Sequence, residues 1–600
     1  MSEGWGLIAA RRWQPRAMSA EIAGELSRQA KELVARFEDR ANAFIGREDL
    51  KPLLVPVGVA GAEALARGRF GNGEHLATGI DGSMDFDERL QMMLFYANAT
   101  AYSCPFEVGE HLRFDLASAH RETRLAASAA VPLWAEDLGN VLSEEPEVDL
   151  ELEHSMERIP NAFMTLGELY LALVACDKAQ VVFLDRPLSG TFSTLSRDAR
   201  NLLRRRASNL TRWGGGTSTS LLDLELAIDL GAPSAFVPTR RRFHTQAVLK
   251  LLLDGPKTVE GLAKSLFCEE SEVRGAIKRI RRMDERYDGS LLSETHGSRL
   301  ELASGVARYW DRVCSLSLDY ATTVFGGKRH PLSVGNEQYL TVLDVNTVAL
   351  FFLWMLYQKA KENGTLLIGI AKDTTATDIA RAVLPYASGS GFLKLASPAP
   401  LLKNDRAFLS LLSSENPGIR TPWRTVSYDS SFSTIVGLSG GFISARKVVS
   451  REKLFARSFF QLRTLKSEPG VRSQVFLFDR IFDEASDSPG VRRLEVDEKR
   501  GGPTTVSAYF EGALASPLSN LVLHILSLND NPEVFEAFGH NQLLFLADKA
   551  VKAEVRMMRS SLRGVADLRV GGASRRRKIF GLVTPFRQQR AEAEHARQGK

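Results

Sequence analysis

An α/β fold, with a mixed sheet flanked by helices and a mainly helical insertion, is predicted by three features of the chain. Short apolar runs at 181–184 and 365–371 have the length and β-branched content of buried strands. Each run follows a stretch whose apolar residues recur at helical spacing. Between the two runs, residues from about 240 to 303 break the alternation with the order helix, helix, helix, hairpin.

Taken in order, residues 20–42 predict a helix, because Ile22, Leu26, Ala30, Leu33 and Phe37 fall on one stripe. It reads equally as a docking or dimer helix and as a helix packed on its own domain. A strand at 75–80 runs into Asp81-Gly82-Ser83, a second covers 91–103, and a third covers 112–119. Residues 159–176 form a helix on the stripe Ile159, Phe163, Leu166, Tyr170, Leu173 and Val174. The run Val181-Val182-Phe183-Leu184 is the fourth strand and ends in Asp185-Arg186-Pro187. Residues 197–237, rich in Arg, Ser and Gly, read as a connector leaving the core.

The insertion then predicts helices at 245–253, 258–266 and 271–283, the last with Ser271 as cap, and a hairpin from Asp288-Gly289 to Leu302. That is the element order of a winged helix-turn-helix. Beyond it come an apolar helix at 345–359, the strand at 365–371 and strand-like stretches at 426–432, 473–478 and 505–510. Helices at 517–528 and 542–559 follow, and then a basic, frayed tail containing Arg575-Arg576-Arg577-Lys578. The expected units are an N-terminal helical segment (1–70), a first part of the core (71–200), an insertion (201–332) holding the winged-helix-like module, a second part of the core (333–560) and the basic tail (561–600).

Composition sets the outer limits. With 44% apolar and 25% charged residues among 600, the chain can bury a core and is not of the disordered class. A net charge of +5 permits a nucleic-acid partner without requiring one. Cys104, Cys176, Cys268 and Cys314 form no CxxC pair, so no zinc site is expected and a reducing, cytoplasmic location is. Residues 1–16 lack the continuous apolar stretch of a signal peptide. The apolar run at 347–357 is shorter than the ~20 residues that cross a bilayer, so no membrane association is expected.

The chemistry is carried by acids placed at particular ends of this strand–strand–strand–helix–strand series. Asp81 closes the first strand, Glu168 sits on the helix and Asp185 closes the fourth strand. Taken singly, the first and last read as turn residues and Glu168 as a surface acid. In an RNase H-like fold, however, the first and fourth strands lie side by side and the helix crosses beside them, so the three would converge. Converging carboxylates repel, and a hard divalent cation removes the penalty. Two such ions about 4 Å apart can hold a scissile phosphate and activate water.

The segments that carry these acids resemble motifs of the NurA nucleases. Thr78-Gly79-Ile80-Asp81-Gly82-Ser83 resembles the family's first motif, and Val181 to Ser189 its second Asp motif, with Arg186 where Gly is commoner. Leu366 to Thr374 looks like the strand that ends in Lys and a small polar residue, here Lys372 and Asp373. Gly539 to Lys549 resembles the closing motif, with His540-Asn541 in place of Tyr-Pro and Asp548 at the last metal-site position. The resemblance implies an RNase H-like core and a Mn²⁺- or Mg²⁺-dependent deoxyribonuclease. It implies Asp81, Glu168, Asp185 and Asp548 as catalytic and metal-holding residues. It further implies a homodimer acting on DNA ends, in repair or phage defence, with a HerA-type hexameric ATPase.

The chain lacks a Walker A loop, since Gly214-Gly215-Gly216-Thr217 has no Lys, so ATP use is expected from another chain. Lys372, Arg186 and His540, and Arg274, Lys278 and Arg282 on the third helix of the insertion, are the expected DNA contacts. Two other readings stand beside this one. The chain is a non-catalytic winged-helix regulator or scaffold with a degenerate nuclease body, or a PIWI-like guide-dependent nuclease.

Overall fold

The computed structural model describes residues 20–89, 92–134, 148–205, 208–213, 219–287, 290–295, 298–327, 330–335, 338–400, 402–432, 451–465, 471–498, 502–530 and 538–576. Its centre is an 11-stranded mixed sheet. The strands are β1 (Leu54–Pro56), β2 (Gly73–Arg89), β3 (Met92–Val108), β4 (Leu112–Phe114), β5 (His120–Trp134) and β6 (Val181–Leu184). After the small hairpins β7 (Leu292–Thr295)–β8 (Arg299–Leu302) and β9 (Ser333–Gly335)–β10 (Gln338–Tyr339), the sheet resumes with β11 (Leu366–Ala371), β12 (Trp423–Thr425) and β13 (Tyr428–Asp429). Strands β14 (Phe455–Gln461) and β15 (Phe476–Ile481) complete it, and β16 (Val491–Glu498) and β17 (Gly502–Tyr509) pair separately.

The first half of the sheet runs β5-β3-β2-β6-β11, with β2, β6 and β11 parallel and β3 antiparallel between β2 and β5. Numbered by appearance, that is the order 3-2-1-4-5 of an RNase H-like sheet, which is the predicted fold class. Strands β15, β14 and β12 extend it antiparallel beyond β11, and Phe408, Leu409 and Leu412 of α11 (Asp405–Ser414) share a core with their Trp423, Phe459 and Leu477.

Alternate side chains of the central strands feed two cores, as a pleat of period two requires. Val182, Leu184 and Leu367 face one core with α3 (Val148–Ala175), α4 (Leu188–Arg205), α5 (Leu221–Leu230) and α10 (Val342–Glu362). Val181, Phe183, Leu366 and Ile368 face the other, with α2 (Val59–Phe70), α12 (Pro517–Leu528) and the first turn of α13 (Gln542–Arg576). Helix α1 (Ala20–Asn42) forms as its stripe predicted, yet Leu26, Leu33, Val34 and Phe37 on it are exposed.

Four expectations need correction. The first strand does not stop at Asp81 but continues through it to Arg89, because Asp81 to Arg89 stay in register with β3. The segment 112–119 is only the short β4 and a 3-10 turn; the long third strand is β5, whose Ala-rich alternation packs small residues against α3. Residues 197–237 are no mere connector, since α4 and α5 occupy nearly half of them and bury Leu202, Leu224 and Leu230. Ser271 lies inside its helix, which begins at Glu270.

The insertion holds α6 (His244–Leu252), α7 (Val259–Leu266), α8 (Glu270–Tyr287) and the β7–β8 hairpin, with Lys257 bridging to Leu300. Its buried Val248, Leu262 and Ile280 are continuous with the core that contains Val182 and Leu353. Helix α9 (Tyr309–Phe325) packs against α5 and α10 and closes this side. No helix among the described residues is long and apolar enough to cross a membrane.

Gly79 on β2 lets α13 lie directly on the sheet. A Cβ there would stand 2.7 Å from Leu543 Cβ and 2.9 Å from the Leu543 carbonyl carbon. Backbone cannot yield as a flexible side chain can, so overpacking at this point costs about 1–3 kcal/mol. Gly79→Val is therefore expected to lower the melting temperature by several degrees while Gly109→Val, in open space, leaves it unchanged; differential scanning calorimetry of the two variants checks this.

Candidate metal centre

Parallel pairing fixes the first two acids. Ile80 pairs with Leu184, and Asp185 N donates to the Ile80 carbonyl at 3.2 Å, so Asp81, within β2, and Asp185, just past β6, stand at the same level on adjacent strands. Lys372 follows β11, the next parallel strand, by one residue. Asp548 comes from α13, where Leu544, Ala547 and Val551 are buried and hold that face of the helix toward the sheet. Carboxylate oxygens of Asp81, Asp185 and Asp548 all lie within 4.8 Å of one another.

Glu168 stands behind this group. It is 1% exposed and its carboxylate is taken by the Arg186 Nε, while the Arg186 Nη1 donates to Thr165 Oγ1 at 3.0 Å. Gly82 makes room for it: a Cβ there would sit 2.4 Å from Glu168 Oε1. Arg186 is thus a strut inside the site that neutralises Glu168. No sequence signal identified this pairing, because Arg186 and Glu168 meet only once α3 and β6 are packed.

The charges are unbalanced. Burial, reinforced by Asp185 and Glu168, raises the Asp81 carboxyl to about 9 against the opposing pull of Lys372. Burial likewise raises Glu168, opposed by Arg186. At Asp548 burial works upward, but hydrogen bonding to Lys552 and the charge of Lys372 outweigh it and the carboxyl is lowered. Lys552 Nζ lies 2.7 Å from Asp548 Oδ1, and Lys372 Nζ lies 2.5 Å from Asp185 Oδ2. Burial alone would lower Lys372; the surrounding carboxylates overcome it and keep the ammonium charged.

Two clefts meet at Lys372 and Asp373. One, of about 510 Å³, is lined by Arg158, Asp185, Arg186, Arg197 and Asn346 among others. The other, of about 580 Å³, is lined by Arg406, Arg472, Phe538, His540, Asp548 and Lys549 among others. His540 is 6% exposed, and burial together with Lys372 lowers its pKa to about 3, so it faces the cleft as a neutral ring. Arg274, Lys278 and Arg282 lie exposed on α8 and line neither cleft; Arg274 is paired with Glu270.

The donor set fits a hard divalent cation. Three carboxylates within one ion's reach, one holding a proton for want of a countercharge, is the arrangement such a cation relieves.

No protein-family model and no curated protein matches the chain. Among solved structures it is similar to the NurA nuclease from Sulfolobus solfataricus, at 12% identity and a TM-score of 0.37, over 91% of this chain and 97% of that one. It is also similar to NurA bound to dAMP and manganese, at 11% identity and a TM-score of 0.36, over 91% and 98%. A third, NurA with manganese, shares 10% identity at a TM-score of 0.33 over 90% and 98%.

The raised Asp81 pKa has a defined sign. The folded chain keeps a proton that the unfolded chain releases near pH 4, so metal-free stability falls as pH rises from about 4 to about 9. Asp81→Asn removes that term. In chelator, its melting temperature is expected to match wild type near pH 4.5 and to exceed it increasingly toward pH 9. A large loss at every pH would instead mark Asp81 as a structural residue.

Proposed function

We propose that this chain is a NurA-type, divalent-metal-dependent deoxyribonuclease that processes or degrades DNA ends beside a HerA-type hexameric ATPase, in DNA repair or phage defence. The observation that carries the reading is the convergence of Asp81, Asp185 and Asp548 at the parallel β2–β6 pair of an RNase H-like sheet. Mn²⁺ or Mg²⁺ would be held by these three carboxylates, and when bound it supplies Lewis-acid polarisation of a phosphodiester and a water of lowered pKa.

The chain's own groups have separate tasks. Lys372, charged and placed between the clefts, holds a non-bridging phosphate oxygen and orients the backbone over the acids. Arg186 keeps Glu168 neutralised and in place, so that Glu168 acts behind the metal-holding acids. The Arg residues lining both clefts give the track for the flanking phosphates. Neutral His540 serves as a packing wall or a hydrogen-bonding partner for sugar or base rather than as a phosphate cation.

The exposed apolar residues of α1 support a homodimer or a motor contact. The three helices and hairpin of the insertion support a winged-helix module, with Lys278 and Arg282 as its outward cations. A cytoplasmic site of action follows from a DNA substrate and an ATPase partner. The intact acid cluster disfavours a purely regulatory role.

The test is cleavage of linear DNA by the purified full chain with Mn²⁺, alone and with the motor. Asp81→Asn and Asp185→Asn are expected to reduce the rate by at least about a thousandfold while DNA binding persists, and Lys372→Ala by about tenfold to a hundredfold. Equal cleavage by Asp81→Asn and wild type ends the nuclease assignment.

A further inference from the structure

We propose that the helical insertion carries a second metal site, for Zn²⁺ or a similar borderline-soft cation, formed by His244, Cys268 and Glu272. Scattered cysteines gave no reason to expect it from the sequence, because the nearest zinc pattern needs paired cysteines. Folding supplies what spacing lacks: a ring nitrogen of His244, Cys268 Sγ and a carboxylate oxygen of Glu272 lie within 4.8 Å of one another.

Each donor is fixed by its own element. His244 opens α6 and is 1% exposed. Cys268 lies just past α7, where Phe267 adopts a left-handed conformation (φ 55) and Cys268 N donates to the Ala263 carbonyl at 3.1 Å. That hydrogen-bonded helix stop fixes the backbone from which the thiol projects. Glu272 lies in the first turn of α8, where Arg241 Nε binds its Oε1 at 2.8 Å and the Glu269 N–H reaches its Oε2 at 3.4 Å.

The hydrogen bond behind His244 is the second, independent observation. Its Nε2 lies 3.2 Å from the Thr239 carbonyl oxygen, which can only accept. The neutral ring therefore carries its proton on Nε2 and a lone pair on Nδ1. A backbone carbonyl gripping one ring nitrogen and leaving the other free to ligate is the partner that metal-ligating histidines characteristically have, and it sets both tautomer and ring orientation.

The donor chemistry separates this site from the acid cluster. Nitrogen, sulfur and one oxygen suit Zn²⁺, whereas three carboxylates suit Mn²⁺ or Mg²⁺. On binding, the Cys268 thiol gives its proton to solvent as the sulfur–metal bond forms, and a water completes a tetrahedral set. The ion would tie the start of α6 to the α7–α8 turn and so brace the module. None of this depends on the nuclease reading.

Cobalt reports the site directly, since only a thiolate ligand gives a sulfur-to-cobalt charge-transfer band. Metal-stripped full-length protein titrated with Co²⁺ in excess Mg²⁺, which occupies the three-carboxylate cluster, is expected to show that band, saturating at about one equivalent and bleached by Zn²⁺. Cys314→Ser and Asp81→Asn should keep the band, Cys268→Ser should lose it, and His244→Gln should weaken Co²⁺ binding at least about tenfold. A wild-type chain without the band, or a Cys268→Ser chain that retains it with a native circular dichroism spectrum, overturns the proposal.

Discussion

Asp81, Asp185 and Asp548 are held within one ion's reach of each other, Asp81 buried and the other two half-buried. Two like charges 4 Å apart cost about 4 kcal/mol even at an effective dielectric of ~20. A whole domain is stable by only about 5–15 kcal/mol, so three such charges cannot stand unrelieved. The metal-free protein relieves them by keeping a proton on Asp81 and by setting Lys372 and Lys552 against the other two. A divalent cation does the same with more charge at one point. The rest of the architecture can be read as the means of holding these groups despite their repulsion.

Three devices hold them. The parallel β2–β6 pair is buried on both faces, so its register cannot slip without moving apolar side chains out of two cores at once. Helix α13 is pressed on β2 at Gly79, which fixes the depth of Asp548. Arg186 ties α3 to the end of β6 through Glu168 and Thr165, offsetting part of the charge that Glu168 adds to the repulsion.

The legibility of this arrangement in the sequence follows physical lines. The buried strands β6 and β11 and the helices α3 and α10 were readable because their apolar patterns are dense and unbroken. So was Asp185, because an acid directly beyond an apolar run marks a strand's polar end; Asp81 was picked out by the same reasoning although its strand runs on past it. Asp548 was reached only through resemblance, since a single acid on a helix carries no pattern. β5 was hidden by its alanines, whose weak alternation reflects the need for small residues beneath α3. Helix α4 was hidden by its Arg and Ser content, and α5, apolar but only 10 residues long, by the Gly- and Ser-rich stretch before it. Contacts that require tertiary packing, the Arg186–Glu168 pair and the His244–Cys268–Glu272 group, left no trace in local spacing.

Crystals soaked in Mn²⁺ and measured for anomalous scattering test the central claim most directly. The account predicts a peak at about 2.1 Å from carboxylate oxygens of Asp81 and Asp185, with Asp548 completing the protein ligands. A manganese peak elsewhere with these three acids unligated, or none at saturating metal, would contradict it.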